Sequence, residues 1–130
     1  MIFVCKRLPE RKQTMKQEIV YFQNIVEDVI YYIGTNASEN FDVIDMGESN
    51  DYWFHANNCS SCHVVAKIPH DIDKRGLKTI LKHGALLCKQ NTNKLSKKST
   101  VEFVYCQVKH LTKLEVAGQV EFIFGKIMVV

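Results

Sequence analysis

The sequence predicts a single α+β domain, with an antiparallel-rich β-sheet and one main amphipathic helix, over about residues 73–90, packed on it. Three observations carry this expectation. The chain has 130 residues, enough for one hydrophobic core and too few for two ordinary ones. Short β-branched and aromatic runs recur along it, separated by turn residues. One stretch alone sustains a helical period. The composition, 46% hydrophobic and 24% charged, is that of a folded domain and excludes disorder throughout.

Taken in order, residues 1–17 hold Pro9 and five basic residues without any regular period, and read as a basic N-terminal arm preceding a domain over 18–130. Ile19, Val20, Tyr21 and Phe22, a break at Gln23 and Asn24, and the apolar run 29–33 closed by Gly34 predict a β-hairpin. Residues 36–46 read as a short helix or turn ended by Gly47, and 52–56 and 63–68 as two strands, the second stopped by Pro69. In 73–90, a turn of about 100° per residue brings Leu77, Ile80, Leu81, Gly84, Leu87 and Cys88 onto one arc, the face expected to be buried. Asp71 or Asp73 supplies an N-cap. Lys74, Arg75, Lys78, Lys82 and Lys89 fall in the opposite sector, and the polar loop 91–99 adds Lys94, Lys97 and Lys98. A strand over 101–108 follows. Residues 120–124, turning at Gly125 and Lys126 into 127–130, predict a terminal hairpin.

Charge is segregated along this order. Residues 19–66 carry seven carboxylates and no Lys or Arg, whereas 67–113 carry eleven basic groups against Asp71, Asp73 and Glu102. A field concentrated on one helix and its trailing loop suits a polyanion, with nucleic acid first among the candidates, although lysine-rich faces are also simply solvated in many proteins. No apolar run reaches the roughly 18 residues of a membrane span. The N-terminus places apolar residues before basic ones, the reverse of a secretory signal, so a cytoplasmic location is expected.

Cys59-Ser60-Ser61-Cys62-His63 matches the C-x-x-C-H attachment site of c-type haem, but no export route accompanies it and His63 leads directly into a predicted strand. Zinc is the alternative use of Cys59, Cys62 and His63, weakened by the absence of a second pair at ligand spacing. Asp51, His55, Ser60, Ser61, Cys62 and His63 include every class needed for a nucleophile, a base and an orienting acid, yet no nucleophile elbow or phosphate loop joins them. No enzymatic activity, metal or cofactor is expected. Trp53 and His55 lie two apart on one face of a strand, Tyr52 and Phe54 on the other. If the Trp53 face is open, it offers a stacking surface for unpaired bases; if it is core, these aromatics are structural.

The segments Gly34-Thr35-Asn36-Ala37-Ser38-Glu39-Asn40, Asp51-Tyr52-Trp53-Phe54-His55 and Ser60-Ser61-Cys62-His63-Val64 together resemble the RNA-binding NFACT-R domain, in which a strand ending G-x-N-A-x-x-N precedes a D-x-W-x-H strand and a small-small-x-H-V strand. The resemblance extends over about residues 18–130. It is greatest to the free-standing form, similar to the coiled-coil-domain-containing protein 25 group, without that group's charged coiled-coil tail. The resemblance implies that Asn36, Asn40, Asp51, Trp53, His55, Ser61 and His63 are family-motif residues, and Trp53, His55 and His63 are the candidates for base or sugar contacts. It also implies partners: ribosomal RNA or tRNA, on the ribosome, in translation quality control or ribosome dormancy. Phosphate contacts are expected from Lys74, Arg75, Lys78, Lys82, Lys89, Lys94, Lys97 and Lys98. The competing readings are a DNA-binding domain and a protein-interaction adaptor.

Overall fold

The computed structural model describes residues 15–130. Of the expected basic arm, only its last three residues fall within this range. Met15 is buried and Lys16 opens the first strand, so the sheet starts before residue 18.

Strands β1 (Lys16–Phe22), β2 (Glu27–Gly34), β3 (Tyr52–Ala56), β4 (His63–Ala66), β5 (Glu102–Gln107) and β8 (Lys126–Val129) form one sheet, in the order β1-β2-β4-β3-β5-β8. Every pairing in it is antiparallel. Helix α1 (Ala37–Asp45) joins β2 to β3, and α2 (Lys74–Gln90) and the single turn α3 (Asn93–Ser96) lie between β4 and β5. A short 3-10 turn (Val108–His110) leads into a separate ribbon of β6 (Leu111–Lys113) and β7 (Val120–Phe122).

The period of two along the strands sorts side chains between two cores. Val29, Tyr31, Ile33, Phe54, Val64, Ala66 and Phe103 face α2, which lies over β3 and β4 and contributes Ile80, Leu81, Ala85, Leu87 and Cys88. Trp53, Val65, Val104 and Cys106 face the opposite way, onto Val43 and Ile44 of α1, with Leu111 and Val120 of the ribbon beside them. The main helix thus packs on one face as expected, with Asp73 as its N-cap, accepting from the Gly76 N–H at 2.7 Å. A second layer covers the other face.

The expected terminal hairpin does not form. β7 pairs with β6, and β8 pairs with β5 in the register Phe103↔Met128. Local turn chemistry favours a hairpin. β8 instead satisfies the hydrogen-bonding edge that β5 would otherwise leave open, while β7 carries Val120 to the second core. Among the described residues, no helix is long and apolar enough to cross a membrane.

Candidate nucleic-acid interface

Burying one arc of α2 forces its remaining side chains outward. Lys74, Arg75, Lys78 and Lys82 are exposed and make no side-chain hydrogen bond or ion pair among the described residues. Lys97 and Lys98, in the loop after α3, are exposed too. Two of the expected contacts behave differently. Lys89 is half-buried, and its ammonium donates to main-chain oxygens of Val130 at 3.2 Å and Ser99 at 3.4 Å, which withdraws it from the row. Lys94 donates to the Ser60 hydroxyl at 2.7 Å, tying α3 to the loop between β3 and β4.

That loop borders a pocket of about 650 Å³ on the other side of the sheet. Trp53 is only 1% exposed, so its indole presents no free face for stacking. It forms the pocket floor because the β6–β7 ribbon closes over it, with the Phe122 ring 5.9 Å away between centroids. The His55 ring is parallel to the indole at 5.7 Å, and His63 stands edge-on to His55 at 4.7 Å. Trp53 Nε1–H donates to His63 Nδ1 at 3.1 Å. Burial pushes the His63 imidazole down to about 3, with His55 adding to the fall, and burial lowers His55 as well. Both rings are neutral near pH 7.

The other motif residues have structural duties. Asn36 caps α1, its Oδ1 accepting from the Glu39 N–H at 2.9 Å, while Glu39 Oε1 accepts from the N–H and hydroxyl of Thr35. A Cβ on Gly34 would come within 2.8 Å of the Glu39 backbone and of Asn40 Oδ1, which explains why the strand ends in glycine there. Asn40 lines the pocket, with Oδ1 buried and unpartnered among the described residues. Asp51 is buried and accepts from the N–H groups of Glu48 at 2.7 Å and Ile68 at 2.8 Å, and it pairs with Lys67 at 2.6 Å. Those contacts anchor the entry to β3, outside the Trp53 pocket. Ser61 Oγ accepts from the Ala56 N–H at 2.9 Å and donates to the Cys62 carbonyl, clamping the β3–β4 loop.

Cys59, Cys62 and His63 do not converge. Cys59 is exposed, whereas Cys62 turns toward α2, its sulfur 3.7 Å from that of Cys88. His63 projects to the opposite face. No group of three His, Cys, Asp or Glu side chains among the described residues is placed to hold a metal. The pocket also contains residues that pattern reading does not single out, namely Asn57, Gln119, Val120 and Phe122. Asn57 directly follows the strand of Trp53, whereas Gln119, Val120 and Phe122 are remote from it in sequence and reach it with the β6–β7 ribbon.

Comparison with known proteins agrees with this architecture. Residues 18–129 match the model of the NFACT protein RNA binding domain. The coiled-coil domain-containing protein 25 homolog of Dictyostelium discoideum is 35% identical over 109 residues, covering 78% of this chain and 51% of the relative. Coiled-coil domain-containing protein 25 of Danio rerio is 31% identical over 83 residues, covering 63% and 40%. The chain therefore spans about half the length, or less, of these curated relatives. The solved structure of the C-terminal of the fibronectin/fibrinogen-binding protein from Streptococcus suis shares the fold, with a TM-score of 0.70 at 22% identity over 85% of this chain and 44% of that one. With the family model spanning almost all of the described residues, the chain belongs to the NFACT RNA-binding domain family.

Proposed function

We propose that this protein is a non-enzymatic RNA-binding factor of the cytoplasm that docks on ribosomal or transfer RNA at the ribosome, serving translation quality control or ribosome dormancy. The observation that carries the reading is the outward row of α2. Lys74, Lys78 and Lys82 repeat every fourth residue with Arg75 beside them, and no carboxylate among the described residues pairs with them. Like charges repeated at i and i+4 repel one another along the helix, and the phosphodiester oxygens of a bound strand supply the complementary charge. The family match to an RNA-binding domain supports RNA over other polyanions.

The test is affinity for ribosomal and transfer RNA as a function of salt. Each phosphate left without its cation should reduce the slope of log affinity against log salt by about 0.7–0.9, so the Lys74/Lys78/Lys82→Ala protein should bind more weakly and with a shallower slope. Unchanged affinity in that variant sinks the assignment of the row. Tighter binding to duplex DNA at matched salt would favour a DNA-binding domain. Co-sedimentation with ribosomes from extract, abolished in the same variant, tests the ribosomal site.

A further inference from the structure

We propose that the pocket over Trp53 receives a single unpaired nucleobase, with the nucleotide's phosphate directed to Lys94 at its rim. The proposal rests on the RNA-binding reading and deepens it, adding a second mode of contact on a different face of the sheet from the lysine row.

Charge is the first argument. Among the described residues no Asp, Glu, Lys or Arg lines the pocket, and its two imidazoles are neutral, so it is not built for a phosphate or any other ion. Its walls are those of a site for a flat, uncharged heterocycle. Phe122, 42% exposed, supplies aromatic surface over the buried Trp53 floor, and Val104, Leu114 and Val120 supply aliphatic surface. The volume of about 650 Å³ lies within the range of small-molecule sites and admits a base together with its ribose.

Hydrogen-bonding capacity is the second argument, because the neighbours of the two histidines determine their tautomers. His55 Nδ1 lies 2.7 Å from the Ala56 carbonyl oxygen, which only accepts. The His55 proton therefore sits on Nδ1, and Nε2 keeps its lone pair. Trp53 Nε1–H only donates, so His63 Nδ1 carries the lone pair and Nε2 the proton. Neither Nε2 has a hydrogen-bond partner among the described residues. The pocket thus presents one acceptor and one donor on rings 4.7 Å apart. Nucleobase edges alternate donors and acceptors in this way, as adenine does at its N6 amino group and ring nitrogens. Third, Lys94 Nζ bonds Ser60 Oγ, and Ser60 lines the pocket, so a cation stands at the rim where a base's backbone would emerge.

Trp53 is the single tryptophan of the chain, so its emission reports on this pocket alone. The experiment titrates the protein with AMP, GMP, CMP, UMP, adenosine and ribose 5-phosphate, and with a short single-stranded RNA and the corresponding duplex. At least one base-bearing ligand and the single strand should change Trp53 emission, whereas ribose 5-phosphate and the duplex should leave it unaltered. His55→Phe, which keeps a flat ring but removes the acceptor, should weaken the response by about tenfold. Phe122→Ala, at a half-exposed ring, should weaken it independently. Duplex and single strand binding alike without any change in Trp53 emission would overturn the pocket assignment while leaving RNA binding intact. An equal response to ribose 5-phosphate would overturn it as well. A response to nucleotides in a protein that binds no RNA would uphold the pocket and defeat the RNA reading.

Discussion

The indole N–H of Trp53 donates to Nδ1 of His63 across 3.1 Å, joining two adjacent strands within the second core. The bond requires a lone pair on His63, so protonation at that nitrogen breaks it. The ordinary histidine value of 6.5 falls to about 3 in the fold, and the unfolded chain therefore takes up a proton at a pH where the native state refuses one. Stability is full above the unfolded value and declines as pH drops from 6.5 towards 3. The contribution of this histidine amounts to a loss of about 2 kcal/mol between pH 7 and pH 5. Denaturant unfolding at the two pH values should show this loss, and His63→Gln should remove much of it. An identical pH slope in that variant would place the titration elsewhere.

Gly84 lies against the Phe54 ring, where an added Cβ would approach ring carbons to 2.4–2.9 Å. Alanine favours an exposed helix by about 1 kcal/mol over glycine. Here Phe54 is fully buried between sheet and helix and cannot retreat, so overpacking outweighs propensity. Gly84→Ala should destabilise the protein by a net amount of up to about 2 kcal/mol, read as a lowered thermal midpoint. A raised midpoint would show that the helix can lift from the sheet without cost.

Asp51→Ala should cost about 1–3 kcal/mol, because two main-chain N–H groups lose their acceptor and Lys67 loses its partner. RNA affinity of the remaining folded protein should be unchanged. A selective loss of RNA binding with stability preserved would return this carboxylate to the interface.

Lys82 and Lys89 share a helix sector but differ in surroundings. Lys82→Ala should weaken RNA binding and flatten its salt dependence while leaving the thermal midpoint in place. Lys89→Ala should lower the midpoint instead, since its ammonium holds the main chain at Ser99 and Val130. Equal effects of the two on the salt slope would contradict this division.

Much of this fold is legible in residue order. The 73–90 period places Ile80, Leu81, Leu87 and Cys88 in the core and Lys74, Lys78 and Lys82 outside it, and Asp73 caps the helix as its side-chain chemistry requires. Alternation along 52–56 separates Trp53 and His55 from Phe54, and the glycine that ends the second strand coincides with the close approach of α1. The terminal segment misleads because turn residues at 125 and 126 fit a hairpin equally well whether or not a better partner exists for either strand. The fate of Trp53 is likewise invisible in the sequence: a strand's period says which side chains share a face, never what lands on it.

Periodicity and capping are properties of neighbours along the chain, and from them come the helix, most of the strands and the cationic row. Strand order, the second layer and the Trp53–His55–His63 pocket arise from contacts between segments tens of residues apart. Those contacts are decided by which open strand edges and apolar faces can be covered together, a competition among all segments at once that no local pattern encodes.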